Sequence, residues 1–256
     1  ATTRPTDLAS SVERGVPDNE PLVRTITLSL DLDANRPEVT ANLARDFAVA
    51  ANAGLSGLGI APRTLRVTTT ALDQVLSHPD PVQAGDLAEA LEASLDGIWC
   101  CLPGPDLCHA DADLTWLELI PAVLARTETV FTNTRIADRH GIHCAAAHRS
   151  AEIIQDLAHL DERHQANFRF AVMANMPPYG AYFPASYTAG ETGFSLSLEL
   201  ASLANRIFKQ ELPFDKRLAR FRQEILERVQ PIVLLAQELA VTHRLTFHGI
   251  DFSLAP

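Results

Sequence analysis

The sequence predicts an α/β fold: a largely parallel sheet with surrounding helices. Three observations carry that expectation. Short segments in which apolar and polar residues alternate, such as Gly193–Leu200 (GFSLSLEL), recur along the chain, and a period of two marks a strand with one buried face. Longer segments with apolar residues at helical spacing separate most of them, and strands alternating with helices build parallel sheets. The 256 residues show no internal shift in composition, which fits one large domain. The expected organisation is an N-terminal arm over residues 1–21 and a single α/β domain over 22–256.

The elements follow in order. Residues 1–20 are polar, with Pro5 and Pro17, and read as a loose arm or a short helix. Leu22–Leu32 (LVRTITLSLDL) alternates and opens the sheet. Pro37–Ala53 is a helix with proline at its start, where the missing N–H costs nothing. Thr64–Thr70 (TLRVTTT) is β-branched and forms the second strand. Pro81–Ser94 is helical and Gly97–Leu102 (GIWCCL) is a short strand. Leu114–Arg126 is a helix, Thr129–Thr134 a strand and Ile142–Leu160 a helix. Asn167–Ala174 (NFRFAVMA) is a strand, followed by an irregular loop over Pro177–Gly190 that holds all three tyrosines. After Gly193–Leu200 come a short helix over Ala204–Gln210 and a long amphipathic one over Phe214–Arg244, which Pro231 is expected to kink or split. Leu245–Leu254 (LTFHGIDFSL) is the last strand. The segments Leu28–Leu32 (LSLDL) and Leu196–Leu200 (LSLEL) echo one another, a pattern common in half-buried strands.

Charge and motifs exclude more than they assign. A formal net charge of −11 with 21 Lys+Arg argues against nucleic acid or an anionic membrane as partner. The longest apolar runs are far too short to span a bilayer, and no apolar leader opens the sequence, so the expected location is cytoplasmic. Cys100, Cys101, Cys108 and Cys144 form no CxxC pair and read as buried, reduced thiols. Cys100 and Cys101 are adjacent on a strand and point to opposite faces, so only one can face a site. GxGxxG, GxxxxGK[ST], GxSxG and HExxH are all missing, which removes the usual signals for nucleotide binding, a nucleophile elbow and a zinc protease. His140, His143, Cys144 and His148 are close in sequence, but their helical spacing does not aim two imidazoles at one metal; no metal and no cofactor is expected. His143, near a helix start, is retained as a substrate-binding candidate.

Ligand sites in open α/β sheets and barrels gather at the carboxyl ends of strands. The residues ending the expected strands are Asp31, Asp33, Thr70, Asn133, Arg135, Asn175, Asp251 and Ser253. Asp33 with Asn35 also suits a turn that leads into the first helix.

Three stretches carry a family resemblance: Val23–Leu28 (VRTITL), Val172–Asn175 (VMAN) and, most specific, Gly249–Pro256 (GIDFSLAP). They resemble the opening strand, the Ala-Asn strand and the Asp-x-Ser-Leu-Ala-Pro signature of the uncharacterised family known as domain of unknown function 711, or uncharacterised protein family 0210. That family is placed by fold with the pyruvate formate-lyase-like superfamily. The resemblance spans about residues 22–256 and implies part of a ten-stranded α/β barrel, of which this chain is similar to the N-terminal portion. It implies no established reaction. Family members usually carry a Phe-His-Gly segment in the loop after the Ala-Asn strand, whereas residues 176–187 here contain no histidine.

The expected function is that of an enzyme subunit acting on a small, carboxylate-bearing metabolite, with hydrolysis or acyl transfer as the first reaction class to test. Asp251 is the candidate acid or base and Ser253 the candidate nucleophile; Arg66, Asn175, Asp31, Asn133 and His143 are candidates for substrate binding. A guanidinium such as that of Arg66 suits a carboxylate or phosphate. A chain ending at Pro256 would leave an open sheet edge, so a companion polypeptide or a homo-oligomer is expected. Cleavage after Pro256, freeing an N-terminal nucleophile on the companion, is one route to it. The alternative is a non-catalytic binding or scaffolding subunit.

Overall fold

The computed structural model describes residues 23–160 and 165–253. Residues 1–22, Leu254 and Pro256 lie outside them, and with them the expected arm and both chain ends. Eight strands make one sheet: β1 (Val23–Leu30), β2 (Thr64–Thr69), β3 (Trp99–Cys101), β4 (Val130–Asp138), β5 (Gly141–Ile142), β6 (Phe170–Ala174), β7 (Gly193–Leu198) and β8 (Thr246–Asp251). Their order is β6-β4-β3-β2-β1-β7-β8, with β5 folded back antiparallel on the end of β4. The five strands from β6 to β1 are parallel. β7 joins β1 antiparallel, and β8 runs parallel to β7. The architecture is a barrel-like α/β fold with a mostly parallel sheet. Among the described residues β6 and β8 each pair on one side only.

The helices are α1 (Pro37–Gly57), α2 (Leu72–Val75), α3 (Pro81–Leu95), α4 (Leu119–Arg126), α5 (Cys144–Leu157), α6 (Gln165–Phe168), α7 (Ala201–Phe208) and α8 (Phe214–His243). Their ends follow local chemistry. Asp80 Oδ1 accepts from the backbone N–H of Val82 (2.9 Å) and Gln83 (3.3 Å), capping α3, whose first residue is Pro81. Asp96 and Gly97 then stop α3 in the left-handed region, at φ 48° and 86°.

One face of the sheet is apolar and carries the main core. Ile26, Leu28 and Leu30 of β1, with Val67, Cys100, Val130, Phe194 and Leu196, pack under α1, α3 and α8. Phe47 of α1 meets Phe194 of β7 at 4.8 Å and His243 of α8 at 5.3 Å between ring centroids. A second cluster, including Leu117, Ile120, Ile153 and Leu157, seats α5 against α4. Among the described residues no helix is long and apolar enough to cross a membrane.

Several sequence expectations need correction. Asn167 and Phe168 belong to the short α6, and the strand begins only at Phe170; Phe168 is exposed, so its apolar character does not mark a strand face. Ile142 lies in β5, so α5 starts at Cys144. The helix expected from Leu114 opens as a 3-10 turn, Leu114–Glu118, because the ring of Pro121 obstructs the carbonyl of Leu117. α8 runs unsplit through Pro231, which sits on its exposed side and supplies no N–H to the carbonyl of Glu227. The two echoing segments begin in neighbouring strands but are offset along them: Leu28 stands opposite Phe194, and Leu196 opposite Ile26. With β2 parallel to β1 and β8 parallel to β7, the four strands β2-β1-β7-β8 have a local two-fold arrangement.

Candidate functional site

The face of the sheet turned away from the core helices is polar. It presents Thr25, Thr27 and Ser29 from β1, Thr64, Arg66 and Thr68 from β2, Cys101 from β3, Asn133 from β4 and Ser195 and Ser197 from β7, all on one side by their pairing register. Thr27, Ser29 and Ser195 are buried, and their hydroxyls have no hydrogen-bond partner among the described residues. Buried polar groups are normally paired, so a row of orphans on one face marks a surface suited to a polar ligand or water.

The loop between β6 and β7, residues 175–192, crosses this face. Asn133, 1% exposed, donates from Nδ2 to the carbonyls of Pro184 (2.7 Å) and Ser186 (2.8 Å). Thr68 Oγ1 donates to Ser186 O at 3.0 Å, and the Cys101 thiol donates to Pro184 O at 3.2 Å. β2, β3 and β4 thus hold the loop by two carbonyls, those of Pro184 and Ser186. The peptide bond Phe183–Pro184 is cis. Cys101 faces inward and Cys100 outward into the core, as the strand alternation predicts. Burial pushes both thiols above their ordinary range, so neither is a thiolate near neutral pH. The expectation of buried thiols fails for Cys144, which is exposed, and for Cys108, which is half-buried.

Two clusters flank the loop tip. On one side the Arg66 guanidinium lies between the rings of Phe183 (4.9 Å) and Trp99 (5.4 Å), and Phe131 closes the box at 4.8 Å from Phe183. Arg66 Nε is buried without a partner, and no hydrogen bond or ion pair to this guanidinium occurs among the described residues. Burial, with Arg24 nearby, pulls its pKa down. On the other side Asp251 Oδ1 accepts from Ser253 Oγ (2.6 Å), the Ser253 amide (3.0 Å) and Tyr182 OH (3.1 Å). Tyr182 OH also bonds Ser253 Oγ, and Ser197 reaches Asp251 Oδ2 at 3.5 Å. Tyr182 and Phe183 are consecutive, so one peptide unit separates the residue on Asp251 from the residue on Arg66. Beside them His248 stacks on Tyr179, with centroids 4.0 Å apart and planes at 7°.

The remaining sequence candidates lie elsewhere. Because β7 and β8 oppose the other strands, Asp251 is level with Ser197 and Thr25, at the amino ends of β1 to β4. Asp31 and Asn175 are at the carboxyl ends, so the strand-end rule splits the candidates between two rims; β4 runs on to Asp138, which leaves Asn133 in mid-strand, level with Gly104 beyond the end of β3, and not at the strand end the sequence suggested. Asp31 is exposed, and its carbonyl holds Thr40 Oγ1 at 2.8 Å. Asp33 makes the expected turn, accepting from Asn35 N and Arg36 Nε. Asn175 is exposed and turns the chain at φ 54°, a conformation asparagine tolerates. His143 Nδ1 contacts Leu107 O at 2.9 Å and braces the strand-end segment of β3. Asn133 spends its amide on the loop and is a positioning residue.

At the carboxyl rim a cavity of about 160 Å³ lies between the ends of β2, β3, β4 and β6 and loop residues 187–189. Arg135 lines it, paired with Asp106 (3.0 Å) and stacked on Tyr187 (4.6 Å). Tyr179, Tyr182, Phe183 and Thr188 were not among the sequence candidates, although the four aromatics of this irregular loop, Tyr179, Tyr182, Phe183 and Tyr187, marked it as a pocket wall. Among the described residues no three His, Cys, Asp or Glu side chains converge as metal ligands.

Compared with known proteins, the chain matches the family model described as "Uncharacterised ACR (DUF711)" over residues 16–256. No curated protein matches it.

Proposed function

The chain belongs to the uncharacterised DUF711 family, and from that footing we propose that its polar sheet face binds and transforms a small carboxylate-bearing metabolite. The observation that carries this reading is Arg66: a half-buried guanidinium, held between two aromatic rings, with no anion from the described residues beside it. A buried charge without a partner is costly, and a planar guanidinium matches a carboxylate in a bidentate pair. The orphan hydroxyls of Thr27 and Ser195 supply neutral hydrogen bonds next to it.

Ser253 and Asp251 supply the chemistry. In hydrolysis or acyl transfer, Ser253 Oγ forms a bond to the acyl carbon as its proton passes to Asp251 Oδ1, already at 2.6 Å. The bond to the leaving group breaks, and the leaving group departs with that proton. Water or an acceptor then attacks the ester and restores Ser253. Tyr182 steadies the carboxylate by hydrogen bonding to it.

A binding role without turnover is the second reading. It is favoured by the tight turn in which both the amide and the hydroxyl of Ser253 close onto Asp251. In either case the outer edge of β8, which pairs with no strand among the described residues, suits a companion polypeptide or a second copy.

The test joins thermal shift with short dicarboxylates to turnover of their esters. The native chain is expected to be stabilised by dicarboxylates, and Arg66→Met to lose that response while still folding. Ser253→Ala and Asp251→Asn are expected to abolish turnover and keep binding. Stabilisation that persists in Arg66→Met overturns the binding site; turnover that persists in Ser253→Ala overturns the catalytic assignment.

A further inference from the structure

The geometry points to a second ligand site at the carboxyl rim: the cavity beside Arg135 takes a small zwitterion, an α-amino acid with a short aliphatic side chain. At about 160 Å³ the space falls below the 300–1,000 Å³ usual for drug-sized ligands, so its occupant has few heavy atoms. Its walls carry both signs of charge. Arg135 Nη2 spends N–H groups on Asp106 (3.0 Å) and the Cys108 sulfur (3.7 Å), and a guanidinium has five to give. Asp106 accepts from Arg135 and from the Cys108 amide (3.2 Å), which leaves lone pairs free on its carboxylate.

Further groups sharpen the match. Thr188, 3% exposed, lines the cavity with a hydroxyl that has no partner among the described residues. Gln74 adds an amide. Asp73 lies behind Asp106, accepting its amide at 3.4 Å, and its other oxygen is buried and unpaired. A simple anion drawn to Arg135 meets Asp106 and Asp73; a simple cation drawn to them meets Arg135. A molecule with a carboxylate at one end and an ammonium at the other satisfies both, with Thr188 donating to the carboxylate. Ala71, Pro103 and Met173 form the apolar remainder of the wall and suit a short aliphatic side chain.

This site is separate from the Arg66 box, although Asn133 on the same sheet face lines it, and the same loop serves both: Phe183 covers Arg66, and Tyr187 covers Arg135. The test is calorimetric titration of the full chain with L-alanine and L-valine, beside propionate, isovalerate, ethylamine and isobutylamine. An amino acid is expected to bind at least about tenfold more tightly than its carboxylate-only and amine-only counterparts, since each lacks one charge-assisted contact. Arg135→Gln is expected to weaken it by at least about tenfold. Thr188→Val keeps the side-chain shape and is expected to weaken it by roughly threefold to tenfold with an unchanged melting temperature. Arg66→Met is expected to leave the titration unchanged. Equal affinity for propionate and alanine, no heat with any amino acid up to about 10 mM, or loss of binding in Arg66→Met with retention in Arg135→Gln would each overturn the assignment. The last outcome would move the ligand to the Arg66 face.

Discussion

Replacing Asn133 by alanine removes the side chain that fastens the crossing loop. Its amide gives two hydrogen bonds, at 2.7 and 2.8 Å, to carbonyls within the folded interior. Each neutral bond contributes about 1 kcal/mol net, and the space left by a side chain of this size adds about 1 kcal/mol. The expected loss is therefore about 3 kcal/mol, or about 6 °C in melting temperature for a chain of this length. The carbonyl of Ser186 also takes the Thr68 hydroxyl at 3.0 Å, so the two donors share one acceptor. Thr68→Val alone is expected to cost about 1 kcal/mol, because Asn133 still serves Ser186. With both substituted, Ser186 O keeps only the Cys101 thiol at 3.9 Å, and the double variant is expected to lose about 1 kcal/mol more than the two single losses together. Urea unfolding with an unchanged slope measures the three losses. Faster hydrogen exchange at the Tyr179 amide, which bonds Tyr187 O across the loop at 2.9 Å, shows where they arise. A loss below about 0.5 kcal/mol for Asn133→Ala, or strict additivity, would refute the idea that this residue anchors the loop.

Other perturbations have equally definite outcomes. Gly193→Ala drives a methyl group into the Thr246 carbonyl and the His248 ring, so β8 is expected to separate from β7, read as loss of exchange protection over Thr246–Asp251; protection like that of the native chain would contradict the close packing. Burial lowers the pKa of His248 below its ordinary 6.5, against the opposing pull of Glu191. The unfolded chain then binds that proton more readily, so the contribution of neutral His248 is full above about pH 6.5 and fades as the pH falls. His248→Phe keeps the stack on Tyr179 and is expected to flatten the fall in stability between about pH 7 and 5; an unaltered slope would assign it to other groups. A thiol reagent at pH 8 is expected to label Cys144 first and Cys108 more slowly, and to reach Cys100 and Cys101 only on unfolding; peptide mass mapping of the labelled chain checks the order.

Most of the fold could be read from the sequence because most strands have one apolar and one polar face. In Leu28–Leu32 and Gly193–Leu200 the leucines meet helices and the serines meet the open face, so the period of two is plain. Asn167–Phe168 misled because an exposed Phe168 completes an alternation that no sheet uses. The reversal of β7 left only an indirect trace: parallel neighbours need a long crossover, usually a helix, and none occupies residues 175–192. The site was legible residue by residue but not as an arrangement. Arg66, Asp251 and Ser253 were chosen for their chemistry, and one loop brings them to either side of a single peptide unit. Asn133 was chosen for its place at a strand end, yet its partners, Pro184 and Ser186, are fixed by tertiary folding that no local pattern announces.

The antiparallel junction of β1 with β7 has a consequence for how the chain is made. Strands β1 to β4 and β6 can assemble in the order they are synthesised, each beside an earlier one and linked through short-range helices. β1 cannot be finished that way. Its second edge waits for Gly193–Leu198, so Ile26 stays unpaired on one side until Leu196 has left the ribosome. During that interval a nearly complete half-sheet exposes the backbone of its future central strand, the arrangement most open to pairing with another chain. Closing so distant a contact is slow. Docking of β7 is therefore the step that covers the exposed edge of β1, ahead of the packing of α8 and the addition of β8.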